Sequence, residues 1–134
     1  MKKEIFIRDY RPEDVQALAN IYYNTIHRIN IQDYTEEQVD VWAPITSLQT
    51  EGWAKKFLRI KPIIATIGDE IVGFTQFEPN GHIDYFYCHH EWIGKGVGSA
   101  LMKEILHRAE NNHIHLIFSE VSITAKPFFE KMEV

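Results

Sequence analysis

A glycine-rich turn in residues 88–102 is the feature that most constrains this chain. Three glycines alternate with other residues across 94–98, an apolar run at 82–88 precedes them, and a helical pattern from 98 to about 112 follows. Glycine carries no side-chain bulk and tolerates positive φ, so the backbone here is free to approach a ligand. The stretch therefore predicts a strand, a tight turn and a helix, with backbone amides exposed where they meet.

Exposed amides at the start of a helix favour an anion. Their unpaired N–H groups and the positive end of the helix dipole together suit a phosphate or pyrophosphate. Two phosphate motifs do not fit: no register supplies the Gly-Lys-Ser/Thr of a P-loop, and Ser99 stands where the dinucleotide fingerprint needs its third glycine. From the glycines alone, an anion site and an ordinary strand-to-helix connection both stay open.

Length and composition set the class of protein. The chain has 134 residues, 45% apolar and 25% charged, which predicts one globular domain over residues 1–134. A net charge of −5 argues against nucleic acid as a partner, because binding phosphates needs a basic face. No apolar run is long enough to cross a membrane and no signal core is present. The single cysteine, Cys88, excludes an internal disulfide and favours a reducing cytoplasm.

Short strands and amphipathic helices account for the rest of the chain. Strands are expected at residues 5–8, 63–67, 71–77, 82–88 and 114–121. Helices are expected to begin at Pro12 and Thr35, and to span about 49–60, 98–112 and 124–132. Hairpin turns at 68–70 and 80–81 predict that strands two, three and four are antiparallel neighbours. The helix before strand five requires a parallel, right-handed crossover.

The glycine turn resembles motif A of the GNAT superfamily of N-acetyltransferases. That motif is Gln/Arg-x-x-Gly-x-Gly/Ala after the fourth strand; residues 93–98 match its spacing, with Ile93 replacing the polar first residue. The similarity extends to residues 7–14, 68–73 and 122–131. It implies an α+β (α/β-like) fold with a mixed sheet: antiparallel strands one to four, then a parallel strand 4-helix-strand 5 unit, with helices on both faces and the family's final two strands absent.

The resemblance also implies acetyl-CoA as co-substrate. Its pyrophosphate is expected on the amides of 94–99 and its pantetheine arm along the exposed end of strand 85–89. The residues expected to bind it are Phe86, Tyr87, Cys88, Ile93, Gly94, Lys95, Gly96, Val97, Gly98 and Ser99. A primary amine of a small molecule or peptide then attacks the acetyl carbonyl directly, and a backbone N–H near Tyr87 or Cys88 holds the oxyanion.

Asp84 is the first candidate for the general base. An acid with apolar neighbours tends towards a raised pKa, which suits a base near neutrality. Strand alternation places Asp84 with His82 and Phe86 on one face, and Tyr85 and Tyr87 on the other. The structural alternative is a carboxylate bonded to a neighbouring strand or helix end.

The last helix lacks the tyrosine that protonates the departing thiolate in many family members. Phe129 stands at that position. Water or another residue then supplies the proton, or the thiolate leaves unaided, or the chain does not catalyse. The alternatives to an acetyltransferase are a non-catalytic acyl-CoA-binding module and a truncated, dimerising remnant.

Two further expectations concern metals and partners. The histidines near Cys88 and at 113–115 lack paired ligand spacing, so no metal site is expected. The chain stops where family members continue with two more strands, which leaves the edge of strand 115–121 unpaired. We therefore expect a homo-oligomer through that edge, a small-molecule or peptide amine as substrate, and neither a nucleic-acid nor a membrane partner.

Overall fold

The described part of the chain forms a sheet of four antiparallel strands in the order β1-β2-β3-β4. The computed structural model describes residues 4–132. The strands are β1 (Phe6–Asp9), β2 (Ile63–Ile67), β3 (Glu70–Phe77) and β4 (Ile83–Cys88). Turns at 68–69 and 79–80 join β2 to β3 and β3 to β4, so the two predicted hairpins are confirmed.

Five α-helices surround the sheet within residues 4–132. They are α1 (Val15–Arg28), α2 (Glu36–Trp42), α3 (Glu51–Arg59), α4 (Val97–Asn111) and α5 (Lys126–Lys131). The predicted start of α2 at Thr35 is confirmed by a capping box: Gln38 N donates to Thr35 Oγ1 at 3.1 Å, and Thr35 N donates to Gln38 Oε1 at 2.9 Å. None of the helices in the described part of the chain has the length and apolarity that a membrane crossing needs.

Each face of the sheet has its own hydrophobic core. On one face, Leu18 and Ile26 of α1 pack with Phe57 of α3 and Phe74 of β3. On the other, the buried residues of α4, including Leu101 and Ile105, pack on β2 and β3 together with Phe129 of α5. Helices therefore cover both faces, as predicted.

Close packing of α4 on β3 depends on Gly73. A Cβ there would lie 2.7 Å from Val97 Cγ1 and 3.1 Å from the Tyr87 carbonyl oxygen. Because Gly73 has no side chain, Val97 of α4 fills this space and α4 packs directly against the sheet. The first turn of α4 therefore lies level with the end of β4.

The prediction of a continuous fifth strand at 114–121 is wrong. The segment makes one parallel bridge, between His82 and Phe118, in which Ile83 N donates to Phe118 O at 2.9 Å and Phe118 N donates to Gly81 O at 3.1 Å. The parallel direction is confirmed. Side chains at Leu116 and Ile123 are 68% and 60% exposed, so no described residue packs over this edge as a neighbouring strand would.

Candidate active site

A cleft of about 660 Å³ opens along the free edge of β4. Its walls come from α1, β4, the glycine turn, residues 119–125 and α5. Since the segment after α4 pairs with β4 only at its start, the remaining length of β4 borders open space. The cleft therefore forms where β4 and the segment after α4 diverge.

The glycine turn forms one end of this cleft. Gly94 and Gly96 have φ of 76° and 91°, a region that side-chain-bearing residues rarely adopt. Gly96 caps α4, whose first hydrogen bond runs from Ala100 N to Gly96 O at 3.0 Å. The amides of the preceding residues have no partner within the helix, so they and the helix dipole favour an anion here.

Gly98 allows α5 to approach this turn. A Cβ at Gly98 would lie 3.2 Å from the ring of Phe128 and 3.7 Å from Cys88 Sγ. The predicted residues Ile93, Gly94, Gly96, Gly98 and Ser99 all line the cleft.

Two other predicted cofactor residues lie off the cleft wall. Lys95 is exposed on the outside of the turn, and Val97 is buried in the core under α4. Val97 therefore supports the turn by packing. Val97 can therefore contact a ligand only through its backbone, whereas Lys95 can also do so through its exposed side chain.

A β-bulge interrupts β4 at Asp84. Gln76 pairs with Tyr85 and Phe77 pairs with Ile83, so Asp84 is an extra residue in β4 with no opposing residue in β3. The simple alternation predicted for this strand is therefore wrong. Ile83 and Phe86 both pack under α4, although they are three residues apart.

The bulge leaves the Asp84 carboxylate exposed at the cleft wall, and no described residue donates a hydrogen bond to it or pairs with it as an ion. Desolvation raises the pKa of Asp84, and the charge of Glu78 adds to this effect. The structural alternative, a carboxylate tied to a neighbouring element, does not describe this residue. Asp84 is thus available to a ligand.

The register of β3 with β4 distinguishes the two predicted oxyanion donors. His89 N donates to Val72 O at 2.8 Å, which makes Gly73 and Cys88 a pair without mutual hydrogen bonds. The neighbouring Tyr87 then exchanges hydrogen bonds with Phe74, so its N–H points into the sheet. By the same alternation the N–H groups of Cys88 and Phe86 point out of the sheet, towards the cleft.

Aromatic side chains line the α1 side of the cleft. Tyr22 Oη donates to Trp42 O at 3.0 Å, and the Tyr22 ring lies 5.1 Å from that of Tyr87. Burial raises the pKa of Tyr22 to about 12 and also raises that of Tyr87. Both hydroxyls are therefore protonated at neutral pH.

His82 connects the beginning of β4 to the opposite cleft wall. Its Nδ1 contacts Glu78 Oε1, and its Nε2 lies 2.5 Å from Glu120 Oε2. Hydrogen bonds to Glu78 and Glu120 raise the pKa of His82. The Glu120 carboxylate is thus engaged by His82.

Cys88 and its neighbours do not provide an obvious nucleophile or metal centre. Burial raises the pKa of the Cys88 thiol to about 12, so the thiol is protonated at neutral pH. Ligand atoms of His89, His90 and Glu91 lie within 4.8 Å of one another. His89 Nδ1 accepts a hydrogen bond from Glu91 N at 3.1 Å, so this ring nitrogen is already engaged.

Residues from the connection after α1 and the segment before α5 close one side of the cleft. Tyr34 Oη accepts from Ile123 N at 2.7 Å, and Thr124 Oγ1 donates to Asp33 Oδ2 at 2.7 Å. Asn30 Nδ2 donates to Ser122 Oγ at 3.3 Å. The sequence carries no local sign of these pairings, because the partners are about ninety residues apart along the chain.

Thr25 is a further site residue that the sequence did not predict. It is a buried polar residue at the end of the apolar stripe of α1, and its hydroxyl donates to Cys88 O at 2.7 Å. A threonine within a run of apolar helix positions such as Tyr22 and Ile26 is the signal that could have identified it.

Comparison with known proteins places this geometry in a family. Residues 30–133 match the family described as the acetyltransferase (GNAT) domain. The chain is 32% identical over 127 residues to the uncharacterized N-acetyltransferase YafP of Escherichia coli K12, covering 95% of this chain and 79% of that protein.

Solved structures share the fold. A protein from Rhodopseudomonas palustris, described as a GCN5-related N-acetyltransferase and as a class-II aminotransferase, superposes with a TM-score of 0.90 at 28% identity; 98% of this chain and 82% of that chain are covered. The PaiA N-acetyltransferase of Thermoplasma acidophilum, crystallised with coenzyme A, gives a TM-score of 0.82 at 18% identity over 96% of this chain and 88% of that chain.

Proposed function

The chain belongs to the GNAT family of acetyltransferases, and we propose that it transfers an acetyl group from acetyl-CoA to a primary amine of a small molecule or peptide. One observation carries this proposal. A single cleft joins the positive-φ glycine turn at the start of α4 to the unpartnered carboxylate of Asp84. An anion site and a base thus lie on the same binding surface, as acyl transfer from a phosphorylated donor requires.

The glycine turn would hold the pyrophosphate of the donor. Outward amides at Gly96 and Gly98 supply hydrogen bonds, and the dipole of the long helix α4 supplies positive potential. The crystal complex of PaiA with coenzyme A is consistent with this assignment, since PaiA shares the fold. Acetyl-CoA when bound supplies an activated thioester, which an amine can attack without a covalent enzyme intermediate.

The outer edge of β4 would hold the arm that carries the acetyl group. Cys88 and Phe86 each present an N–H to the cleft, and one of these amides would stabilise the oxyanion of the tetrahedral intermediate. Tyr87 would contact the cofactor only through its side chain, because its N–H is hydrogen-bonded to β3. Much of the rate would come from holding two reactants together.

Asp84 would remove the proton of the attacking amine. Desolvation raises its pKa, which makes it a stronger base than an ordinary aspartate, and its carboxylate is open to the cleft. The sign of its charge also favours a cationic acceptor. The thiolate leaving group would receive its proton from water or from a cleft hydroxyl, since Phe129 offers none.

A continuous assay tests the reaction. Thiol release from acetyl-CoA across a panel of primary amines, followed by mass spectrometry of the products, should find at least one acetylated amine. No turnover with any amine across the pH range would overturn the enzyme proposal. Stabilisation by acetyl-CoA in a thermal shift experiment, without turnover, would support a second function.

That second function is a non-catalytic acyl-CoA-binding module. Phe129 favours it, because this residue is buried and brings no proton donor to the cleft. The two functions differ only in turnover, so the same pair of assays decides between them.

We also propose that the chain forms a homo-oligomer through the edge of residues 115–121. Exposed side chains at Leu116, Phe118 and Val121, beside backbone groups that make a single bridge to β4, support this proposal. Sedimentation velocity at micromolar concentration should show a species larger than one chain. A monodisperse monomer would contradict it.

A further inference from the structure

The edge of β4 that faces the cleft ends at Cys88, and this residue presents both a donor and an acceptor. Because Cys88 and Gly73 form a pair without mutual hydrogen bonds, the N–H and the C=O of Cys88 both point away from β3. Cys88 lines the cleft. An extended ligand lying along this edge therefore meets both groups of the same residue.

The Cys88 carbonyl oxygen already accepts a hydrogen bond from helix α1. Thr25, which is 5% exposed, donates its hydroxyl to Cys88 O at 2.7 Å, and Thr25 itself lines the cleft. A helical threonine commonly bonds the carbonyl one turn earlier on its own helix. Here the hydroxyl donates instead to the sheet, so it links α1 directly to the edge of β4 that faces the cleft.

We propose that Thr25 is a positioning residue for the acyl donor. Its hydroxyl satisfies the Cys88 carbonyl and, together with the bond from His89 N to Val72 O, fixes the Cys88–His89 peptide. The end of β4, and with it the neighbouring Cys88 N–H, is thereby held in place for a ligand on the strand edge. Without that link the carbonyl turns into the cleft unsatisfied or takes up water, and the ligand meets a less ordered edge. This inference rests on the proposed binding of coenzyme A along β4.

A purely structural role for Thr25 makes a different prediction. The rest of the buried stripe of α1, including Tyr22 and Ile26, is held by the hydrophobic core. If Thr25 only stabilises the fold, loss of its hydroxyl lowers the free energy of unfolding and leaves the coenzyme A affinity of the folded protein unchanged. If Thr25 is a positioning residue, loss of the hydroxyl weakens coenzyme A binding as well.

Three variants separate these roles. Thr25→Val keeps the shape and removes the hydroxyl, Thr25→Ser keeps the hydroxyl, and Thr25→Ala removes it with less bulk in case the valine variant does not fold. Thr66→Val is the matched control, because Thr66 is a buried threonine on β2, outside the cleft wall. Coenzyme A affinity is measured by isothermal titration calorimetry, together with kcat and the KM of each substrate.

We expect Thr25→Val to weaken coenzyme A binding by about tenfold, the effect of losing roughly one hydrogen bond. The KM for acetyl-CoA should rise while the KM for the amine stays constant. Thr25→Ser and Thr66→Val should resemble the wild type. Unchanged affinity in folded Thr25→Val or Thr25→Ala, or a serine variant as impaired as the valine one, overturns the inference.

The same titrations distinguish this inference from the proposed reaction. If the wild type binds coenzyme A but acetylates no amine, the proposed reaction fails and the affinity series still decides the role of Thr25. If the wild type does not bind coenzyme A at all, both fail.

Discussion

The ring of Phe129 stands edge-on to the ring of Phe86, with 5.2 Å between their centroids and 69° between their planes. Phe129 is 4% exposed and packs with the residues that α4 buries. Phe129, at the position where the resemblance implies a proton-donating tyrosine, is thus part of the hydrophobic core. Its contribution is to stability.

Phe129→Ala should therefore destabilise the protein by about 3–5 kcal/mol, because the truncation leaves a cavity beside Phe86 and Phe128. Urea denaturation measures this loss. Phe129→Tyr is the paired variant: it should leave coenzyme A affinity unchanged, since the ring is 4% exposed and packs in the core. A Phe129→Ala variant as stable as the wild type would show that the ring is not a core element.

Asp84→Asn should lower kcat/KM by about a hundredfold or more, the usual range for loss of a general base. The base works when ionised, so the wild-type rate should rise with pH through the Asp84 pKa, which desolvation places above its ordinary value. The asparagine variant should lose that limb of the pH profile. Asp69→Asn, in the exposed turn between β2 and β3, is the control and should change neither rate nor profile. An unaltered profile in Asp84→Asn would assign the base elsewhere.

The Arg8–Asp14 pair predicts a specific loss of stability in acid. Arg8 donates to both oxygens of the buried Asp14 carboxylate, at 2.7 and 2.9 Å, and Arg11 N adds a third hydrogen bond at 2.8 Å. Burial alone would raise the pKa of Asp14, but the bonds from Arg8 and Arg11 outweigh it and the pKa is lowered.

Because the folded pKa lies below the unfolded one, the stabilisation is complete above about pH 4 and is lost as the pH falls through the folded value. Asp14→Ala should cost about 1–3 kcal/mol at neutral pH and flatten this acid dependence. Thermal unfolding between pH 2 and pH 7 measures both effects. Glu13→Gln, at an exposed neighbour, should behave as the wild type; equal acid sensitivity in all three proteins would exclude the Asp14 pair as its source.

Local chemistry predicted much of the fold. Thr35 and Gln38 form the capping box that their spacing indicates, and the turn residues set the β2-β3-β4 hairpins. The glycine turn was placed correctly because positive φ is a local property of Gly94 and Gly96. These features depend on residues close together in the chain.

Features that depend on distant partners were not predicted. Alternation along β4 assumes an unbroken ladder, and the bulge at Asp84 is decided by how β3 and β4 pair. Residues 114–121 have the composition of a strand, yet a strand needs hydrogen-bonding partners and this segment has one bridge. The bond from Thr25 to Cys88 joins residues 63 positions apart, beyond any local pattern.

The proposed binding of the coenzyme A pyrophosphate by the glycine turn is tested most directly by calorimetric titration of coenzyme A into Gly96→Val. A Cβ at Gly96 has room, with Ile5 Cδ1 at 3.7 Å, so the substitution acts through the φ of 91°, which valine does not tolerate without moving the amides. Gly52→Ala, in α3 and with open space around its Cβ, is the control. We predict saturable binding by the wild type and Gly52→Ala and binding at least about tenfold weaker by folded Gly96→Val; equal affinity in all three would contradict the account.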